Sequence, residues 1–596
     1  MKYSKQTFNR EVHAYVKALK GKVEKKLTFI TLPIENKIAF YSLAPLSAAI
    51  HNLEGDMHVL VISKENRDAT ILQSLWDSFD EHKAGAASRE ARALAGFIGK
   101  AKKKIAEKDL DALFARPDLV LAAGDGGFEG SVAVPYRVSW HVPYRWNELL
   151  ATAERVLTQG YALKRTDRFG IGFELIPSAK TIELPLEDYL DSYAMARAFT
   201  EIALKKGSKV SLAAVTMRAS RLDDPVRTMD VLTTLRGCEI EKDIPEPVFR
   251  AFRTLSQAIG AQRLTFNTAA IHIHGKGYFG KHLFGESIGY PTKNRKSRWT
   301  TPGEMMLKDR YSPQTFIEDR DPMMRYALTE TLPLDIFIET CNLDYAILKK
   351  RSDAVRDVLN RCDYLLVKGN KAKKGAKTDL RVDLIRKTDN HRRMFTSSDC
   401  DVRYMIDKDF YKETGKKAGN YANFPSGETF TTPEKVTGTL VGDVVINIDR
   451  SRVIPKNRPL IVHFSDKGRW TLNDGPEDIR KKMEKEIAEG LKRIEHLEKQ
   501  RSLPKSMTDM YRENIDGVGE FAVNTNPKAK LCDYLIVNEK IAGMIHLALG
   551  MGFETDKKTV YHWDIVINAP EQEIDIYGFD KKGREQWVMK QGKLVV

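Results

Sequence analysis

Apolar residues in the first half of the chain fall into short runs that alternate with helical patterns. Four segments are predicted as strands, because each is an apolar run or alternates apolar with polar positions: 57–63, 118–124, 208–216 and 265–275. Three segments have the spacing or composition of helices: 86–115, 187–206 and 245–262. Residues 288–325 are polar and contain prolines, which predicts a loop-rich connection. Strands that alternate with helices are typical of α/β units.

Beyond Cys341 the pattern changes to one helix followed mainly by short strands. The helix is predicted from the periodicity of residues 342–362. Seven segments have strand patterns: 363–369, 381–387, 438–448, 458–464, 519–525, 561–567 and 573–579. A long charged helix is predicted at 476–500, where one apolar stripe recurs at steps of three and four residues: Ile479, Met483, Ile487, Leu491, Ile494 and Leu497. That stripe is too short for sustained heptads and predicts a surface helix packed on a core.

These patterns predict a multidomain protein of the α/β and α+β classes. A chain of 596 residues accommodates about three to five domains. We divide it into an α/β unit at 1–183, a second α/β unit at 184–340 and a strand-rich unit at 341–596.

Composition narrows the classes of function. The net charge is +15, but 96 basic residues are interspersed with 81 acidic ones and no RNA-binding signature occurs, which disfavours nucleic acid as a partner. The five cysteines show no CxxC spacing, so we expect reduced thiols in a cytoplasmic protein. No apolar h-region and no run of about 18 apolar residues is present, so we expect neither a signal peptide nor a membrane span.

The C-terminal third carries dispersed residues of the types that bind metals. They lie at predicted strands and turns: Glu428, Glu520, Glu539, His546, His562 and Asp564. Pro425 and Gly427 predict an irregular turn, so we expect Glu428 to project from a loop rather than from a regular element. His562 and Asp564 are two residues apart in a predicted strand, so they face the same side and can share a divalent metal.

Two other features leave alternatives open. His272 and His274 share one face of a predicted strand and could bind a metal together with His282 or Glu286, or they could be ordinary strand histidines. The loop 368–377 holds five lysines and is either a solvated loop or a site for anionic groups.

Several of these segments, in their order along the chain, resemble the aminopeptidase T family of metallopeptidases, also called thermophilic or leucyl aminopeptidases. The resemblance covers about 250 residues. It rests on KTDLRVDL at 377–384, NFPSGETFTTPEKVTGTL at 423–440, GEFAVNTNP at 519–527, NEKIAGMIHLALG at 538–550, HWDIVI at 562–567 and the C-terminal IDIYGFDKKGREQWVMKQGKLV.

The resemblance implies a metal-binding catalytic domain at 341–596 that hydrolyses N-terminal residues from peptides through a water activated by two divalent ions of cobalt, zinc or manganese. It carries the ligand roles onto these residues, with Glu520 as the bridging carboxylate: Glu428, Glu520, His546, His562 and Asp564. A carboxylate must also move a proton to the leaving amine, and our candidates are Glu539 first and Glu520 second. The resemblance further implies a homodimer that acts on peptides with a free N-terminus.

The chain departs from the family pattern in two ways. Phe553 stands where the family usually has a tyrosine near the metals, so a phenol that could stabilise a tetrahedral intermediate is missing, and Tyr561 is the alternative source. The family has one modest domain before the catalytic part, which 184–340 could represent, so 1–183 is an addition of unknown role. Both departures keep a second hypothesis open: an altered homologue that acts as another metal-dependent hydrolase or as a binding or scaffold protein.

Overall fold

A computed structural model gives the arrangement of most of the chain. It describes these residues: 3–24, 27–62, 119–124, 127–134, 136–140, 144–176, 186–215, 269–274, 288–291, 297–300, 325–330, 332–397, 421–448, 451–499, 505–552, 554, 556–557 and 559–596. The helices predicted at 86–115 and 245–262 lie outside these residues.

The described helices, in chain order, are α1 (Lys5–Leu19), α2 (Lys37–Asn52), α3 (Trp146–Arg155), α4 (Leu186–Lys205), α5 (Leu334–Cys341), α6 (Tyr345–Leu359), α7 (Glu477–Lys499), α8 (Lys505–Glu513), α9 (Leu535–Asn538) and α10 (Ala569–Gln572). A π-helical turn, Val156–Gly160, extends α3. Asp344 caps α6 by accepting the N–H groups of Ala346 and Ile347. The helices predicted at 187–206, 342–362 and 476–500 are confirmed as α4, α6 and α7. None of the described helices has the length and apolarity needed to cross a bilayer.

The first ten described strands are β1 (Leu27–Pro33), β2 (Asp56–Ile62), β3 (Leu119–Gly124), β4 (Gly127–Ala133), β5 (Arg168–Glu174), β6 (Lys209–Val215), β7 (Ala269–His274), β8 (Ile288–Pro291), β9 (Ser297–Thr300) and β10 (Arg325–Glu330). All four strands predicted in this half are present as β2, β3, β6 and β7. The loop-rich connection predicted at 288–325 is wrong in part, since β8 and β9 pair there as an antiparallel hairpin. Its aromatic positions Tyr290 and Trp299 are of the type favoured in strands, and the prediction gave too much weight to the polar residues around them.

The remaining strands are β11 (Tyr364–Gly369), β12 (Asp379–Asp383), β13 (Ile385–Arg386), β14 (His391–Arg392), β15 (Tyr421–Asn423), β16 (Glu428–Thr431), β17 (Lys435–Gly442), β18 (Val445–Asn447), β19 (Ser451–Val453), β20 (Leu460–Phe464), β21 (Trp470–Asp474), β22 (Val518–Asn524), β23 (Ile545–Gly550), β24 (His562–Ile567), β25 (Ile574–Phe579), β26 (Glu585–Lys590) and β27 (Lys593–Leu594).

Two sheets belong mainly to the N-terminal half. One has the order β2-β1-β3-β4 and the other the order β15-β10-β7-β5-β6. All neighbours in the second sheet are parallel. Its edge strand β15 comes from much later in the chain and leads within five residues to Glu428, so the predicted catalytic unit is joined to this sheet by main-chain pairing.

Two large antiparallel sheets lie in the described C-terminal half, in addition to the two-stranded sheet β13-β14. The larger has the order β21-β20-β17-β12-β11-β25-β26-β27, and the smaller the order β16-β22-β23-β24-β18-β19. Together the four sheets and the helices confirm a mixed α/β and α+β fold.

Buried apolar residues form two principal clusters. One extends from Phe8 to Leu348 and takes in Phe424 and part of 529–541. The other extends from Val355 to Met589 and fills the space between the two C-terminal sheets. The domain bounds at 183 and 340 stay predictions.

Candidate metal centre

All five predicted ligand residues lie on adjacent strands of the six-stranded sheet. Glu428 begins β16, Glu520 lies in β22 and His546 in β23. His562 and Asp564 are the first and third residues of β24. The register places Ala548 of β23 directly opposite both Glu520 and Asp564. Because directly paired residues point to the same side, the five side chains share one face.

Strict alternation explains why this face can be polar. The residues between the ligands point to the other side and join the C-terminal core: Phe521, Val523, Ile545, Leu547, Leu549, Trp563, Ile565 and Ile567. On the ligand face the intervening residues of β22 and β23 are small, since Ala522, Ala548 and Gly550 carry at most a methyl group. The small residues leave space above the sheet between the longer side chains.

Glu520 lies between the two histidines. Its Oε1 is 3.3 Å from His546 Nε2, and its Oε2 is 3.4 Å from His562 Nε2. Two clusters of possible ligand atoms therefore share this carboxylate. We call Glu428, Glu520 and His546 the first cluster, and Glu520, His562 and Asp564 the second cluster.

Both histidines are oriented by a hydrogen bond from the far side of the ring. His546 Nδ1 lies 2.8 Å from Asn524 Oδ1, and His562 Nδ1 lies 2.6 Å from the carbonyl oxygen of Met551. Each Nδ1 must carry the proton, because its partner can only accept. Nε2 of each ring is thereby directed at the carboxylates, which is the usual arrangement of metal-binding histidines.

The charges of the cluster shift the pKa values of its members. Burial by itself raises the pKa of Glu520, but hydrogen bonds from the two imidazoles outweigh it and hold the pKa at about 2. Burial lowers the pKa of His562, yet the charge of Asp564 and the hydrogen bond to Glu520 raise it well above its ordinary value. The pKa of His546 is also raised, because burial lowers it but the hydrogen bond to Glu520 and the charge of Glu520 raise it by more.

Glu428 is positioned by a tight turn. Gly427 has φ of +125°, and a Cβ added there would lie 2.6 Å from Asn526 Cβ. Asn526 is fully buried and donates from Nδ2 to the carbonyl oxygens of Ser426 and Thr340. The predicted irregular turn is therefore present, and only glycine fits against Asn526 at this position. The expectation that Glu428 projects from a loop is wrong, because Glu428 is the first residue of β16 and pairs with Asn524 of β22.

Lys540 is a component of the site that the sequence analysis missed. Its side chain has no exposed surface, and Nζ lies 2.6 Å from Glu428 Oε1 and 2.8 Å from Glu539 Oε1. Glu539 is thus beside the first cluster without belonging to either set of ligand atoms. Burial raises the pKa of Glu539 against the opposing charge of Lys540. The sequence offered one signal for Lys540, its position next to Glu539, and none for the orienting role of Asn524.

The described residues of both clusters are of the types that can hold a divalent cation. Oxygen and imidazole nitrogen atoms are the donors that zinc, cobalt and manganese take. Asp564 is buried, and within the described part of the chain its Oδ1 makes no hydrogen bond, although His562 Nε2 lies 3.2 Å away. A buried carboxylate oxygen without a donor is costly unless a cation completes its surroundings. Which metal binds, and how many ions, remain proposals.

Tyr561 does not supply the phenol that Phe553 lacks. Its hydroxyl donates to the carbonyl oxygen of Ile515 and accepts from Trp470 Nε1 at 3.2 Å. Its ring stacks on Trp563 in the C-terminal core, on the side of the sheet opposite the ligands. The alternative source is therefore ruled out by the alternation of the strand. Phe553 itself lies outside the described residues.

The structure describes the histidine pair of β7 and the lysine loop 368–377 to different extents. The backbone of His272 and His274 lies in β7 as expected, but their side chains are outside the described set, as are His282 and Glu286. Four lysines of the loop 368–377 form ion pairs with carboxylates: Lys368 with Asp379, Lys371 with Glu573, Lys373 with Glu571, and Lys374 with Asp474. These pairs favour a structural role for that loop over a site for anions.

Comparisons with known proteins provide little information about the site beyond its geometry. No protein-family model matches the chain, and no curated protein matches its sequence. Among solved structures, the wild-type AmpT from Thermus thermophilus is similar with a TM-score of 0.41 and 15% identity, over 76% of this chain and 99% of that one. A similarity of this size carries no argument about the site, so the assignment depends on the arrangement of the side chains.

Proposed function

We propose that the chain is a metal-dependent aminopeptidase that hydrolyses N-terminal residues from peptides. The observation that carries the proposal is the position of Glu520, whose two oxygens face two histidines on one face of the sheet. A carboxylate shared by two ligand clusters is the arrangement required to hold two cations side by side. The segments that resemble aminopeptidase T contain all of these residues and favour a peptide with a free N-terminus as the substrate.

The first cluster would hold one cation and the second cluster the other, with Glu520 common to both. Bound divalent cations of cobalt, zinc or manganese would lower the pKa of water and polarise the scissile carbonyl. Asn524 and the carbonyl group of Met551 keep the two imidazoles in the tautomer that presents Nε2.

Glu539 is suited to carry the proton. It is close enough to the first cluster to share Lys540 with Glu428, and burial raises its pKa above the ordinary value of a carboxyl group. We assign it to take the proton from the attacking water and to deliver it to the leaving amine. Glu520 is the second candidate, but its low pKa makes it a weak base.

Access to the site is expected between Glu539 and His562. Their side chains are 13% and 20% exposed, whereas those of Glu428, Glu520, His546 and Asp564 are at most 5% exposed. The narrow opening suits a chain end better than the middle of a folded protein. A homodimer, as the family resemblance implies, belongs to the same proposal, and sedimentation that shows only monomer would count against it.

The experiment is metal analysis of the purified full chain combined with cleavage of a panel of aminoacyl anilides. We expect about two divalent ions per chain and cleavage that a chelator abolishes and added metal restores. Two ions without cleavage of any N-terminal residue would indicate another metal-dependent hydrolase. A chain without bound metal under all conditions would indicate a binding or scaffold protein.

A further inference from the structure

The ammonium group of Lys540 is built rigidly into the first cluster. The segment that carries it is fixed by main-chain hydrogen bonds: Asn526 N–H donates to the Lys540 carbonyl, and Ala542 N–H donates to the Asn526 carbonyl, both at 2.9 Å. Asn526 also supports Gly427 and so the turn before Glu428. One buried asparagine therefore sets the relative position of Lys540 and Glu428.

The two oxygens of Glu428 have different neighbours. Oε1 is 2.6 Å from Lys540 Nζ, a charge-assisted hydrogen bond. Oε2 is 3.7 Å from His546 Nε2 and is the oxygen that faces the first cluster. Oε1 is engaged by the ammonium group, and Oε2 is the oxygen of Glu428 that lies beside the ligand atom of His546.

The second cluster has a different surrounding. Asp564 Oδ1 makes no hydrogen bond among the described residues. A cation in the first cluster would lie beside a fixed positive charge, whereas Asp564 has no cationic side chain paired with it in the described part other than its fellow ligand His562. Like charges repel more strongly in a buried site than in water.

Lys540 also holds Glu539 through Oε1 at 2.8 Å. The same ammonium group therefore binds a ligand carboxylate and the carboxylate that we assign to proton transfer. Held in this way, Glu539 has one oxygen bound by the same ammonium group that binds Glu428 of the first cluster.

We propose that Lys540 is a positioning residue that restricts Glu428 to one donor oxygen and keeps Glu539 from becoming a metal ligand. The first cluster then binds its cation more weakly than the second, and Glu539 stays free to move protons. This inference rests on the proposed function, because it assumes that the clusters hold cations.

The test is titration of the metal-free full chain with Co²⁺, followed by its visible absorption and by competition with a chelator. In Lys540→Met, Glu428 gains a second donor oxygen and a neighbouring positive charge is lost. We expect one of the two ions to bind at least about tenfold more tightly with a changed spectrum, the other to be unaffected, and turnover to fall. Tighter binding with slower turnover is a combination that a merely structural lysine would not produce.

Two further variants keep the test decisive if Lys540→Met folds poorly. Combining Lys540→Met with Glu539→Gln removes the charges of both substituted side chains. The tighter cobalt binding should persist in this double variant. Glu539→Gln alone should retain the cobalt spectrum and affinity while turnover falls. Lys373→Met is the matched control, because Lys373 pairs with Glu571 outside both clusters and should alter neither quantity.

The outcomes distinguish a failure of the role assigned to Lys540 from a failure of the proposed function. Weaker or unchanged cobalt binding in Lys540→Met, or a changed spectrum in Glu539→Gln, would overturn the role of Lys540 and leave the proposed function standing. Failure of the unsubstituted chain to bind Co²⁺ would refute the proposed function, and this inference with it.

Discussion

His546 donates its Nδ1 proton to the side-chain oxygen of Asn524 over a distance of 2.8 Å. Both residues are buried on the ligand face, in neighbouring strands β23 and β22. The hydrogen bond fixes the ring so that Nε2 faces Glu520, and it makes the geometry of the first cluster depend on a residue that binds no metal itself.

Asn524→Ala should therefore weaken metal binding by about 10–100-fold, as loss of such an orienting partner usually does. Chelator competition with the full chain measures the change. Asn524→Asp is the matched control, since it keeps an acceptor oxygen at the same position and should retain most of the affinity. Equal affinities for the alanine variant and the unsubstituted chain would show that His546 needs no such partner.

Gly427→Ala should both destabilise the protein and impair the metal site. The added Cβ would meet Asn526 at 2.6 Å, so Glu428 or the Asn526 turn must shift. We expect a loss of about 1–3 kcal/mol in the free energy of unfolding, together with weaker metal binding. Gly375→Ala is the control, because Gly375 also has a positive φ of +80° but has nothing within 4 Å of the added methyl. Metal binding equal in both variants would contradict the tight fit at Gly427.

A second group of charges stabilises the segment that carries Met551. Arg393 is almost fully buried and binds Asp556 at 2.6 Å and Glu434 at 2.7 Å. Burial raises the pKa of Asp556, but the hydrogen bond and charge of Arg393 prevail and lower it to about 2. The pairing supports the loop from which the Met551 carbonyl group orients His562.

This pairing gives a pH-dependent contribution to stability with a defined sign. A carboxyl group whose pKa is lowered by folding stabilises the protein above its unfolded pKa of about 3.9, and the contribution is lost as the pH falls towards 2. Asp556→Asn should cost about 1 kcal/mol at pH 7, a value reduced for the partial exposure of Asp556. Denaturant unfolding at several pH values should show this difference shrinking below pH 4. A difference that grew on acidification would contradict the assignment.

The sequence predicted the strands that carry Glu520, His562 and Asp564, because these segments have strand patterns. It predicted no strand for Glu428, which begins β16, or for His546, which lies in β23. His562 and Asp564 are two residues apart, and the apolar residues between the ligands identify the buried side of each strand. Lys540 could not be predicted in this way, because its burial depends on Glu428, which comes from a distant segment, as well as on the neighbouring Glu539. The pairing of β15 with β10 could not be predicted either, because a parallel edge strand of three residues is too short to produce a recognisable sequence pattern.

Tyr561→Phe separates a core role from a catalytic one. Removing the hydroxyl leaves the Ile515 carbonyl without its donor and Trp470 Nε1 without its acceptor. We expect a loss of about 1 kcal/mol in the free energy of unfolding and an unchanged kcat, because the ring lies on the core side of the sheet. Trp563, stacked against it, reports the unfolding by fluorescence. A variant of full stability with reduced kcat would place the hydroxyl in the reaction after all.

The most direct test of the central claim is the metal content of Glu520→Gln, measured by mass spectrometry on the purified full chain. Because Glu520 alone belongs to both clusters, its substitution should remove both ions, whereas Glu428→Gln should remove only the ion of the first cluster. Glu585→Gln, at an exposed position in β26, should retain both ions. A Glu520→Gln protein that keeps two ions and full turnover would contradict the account.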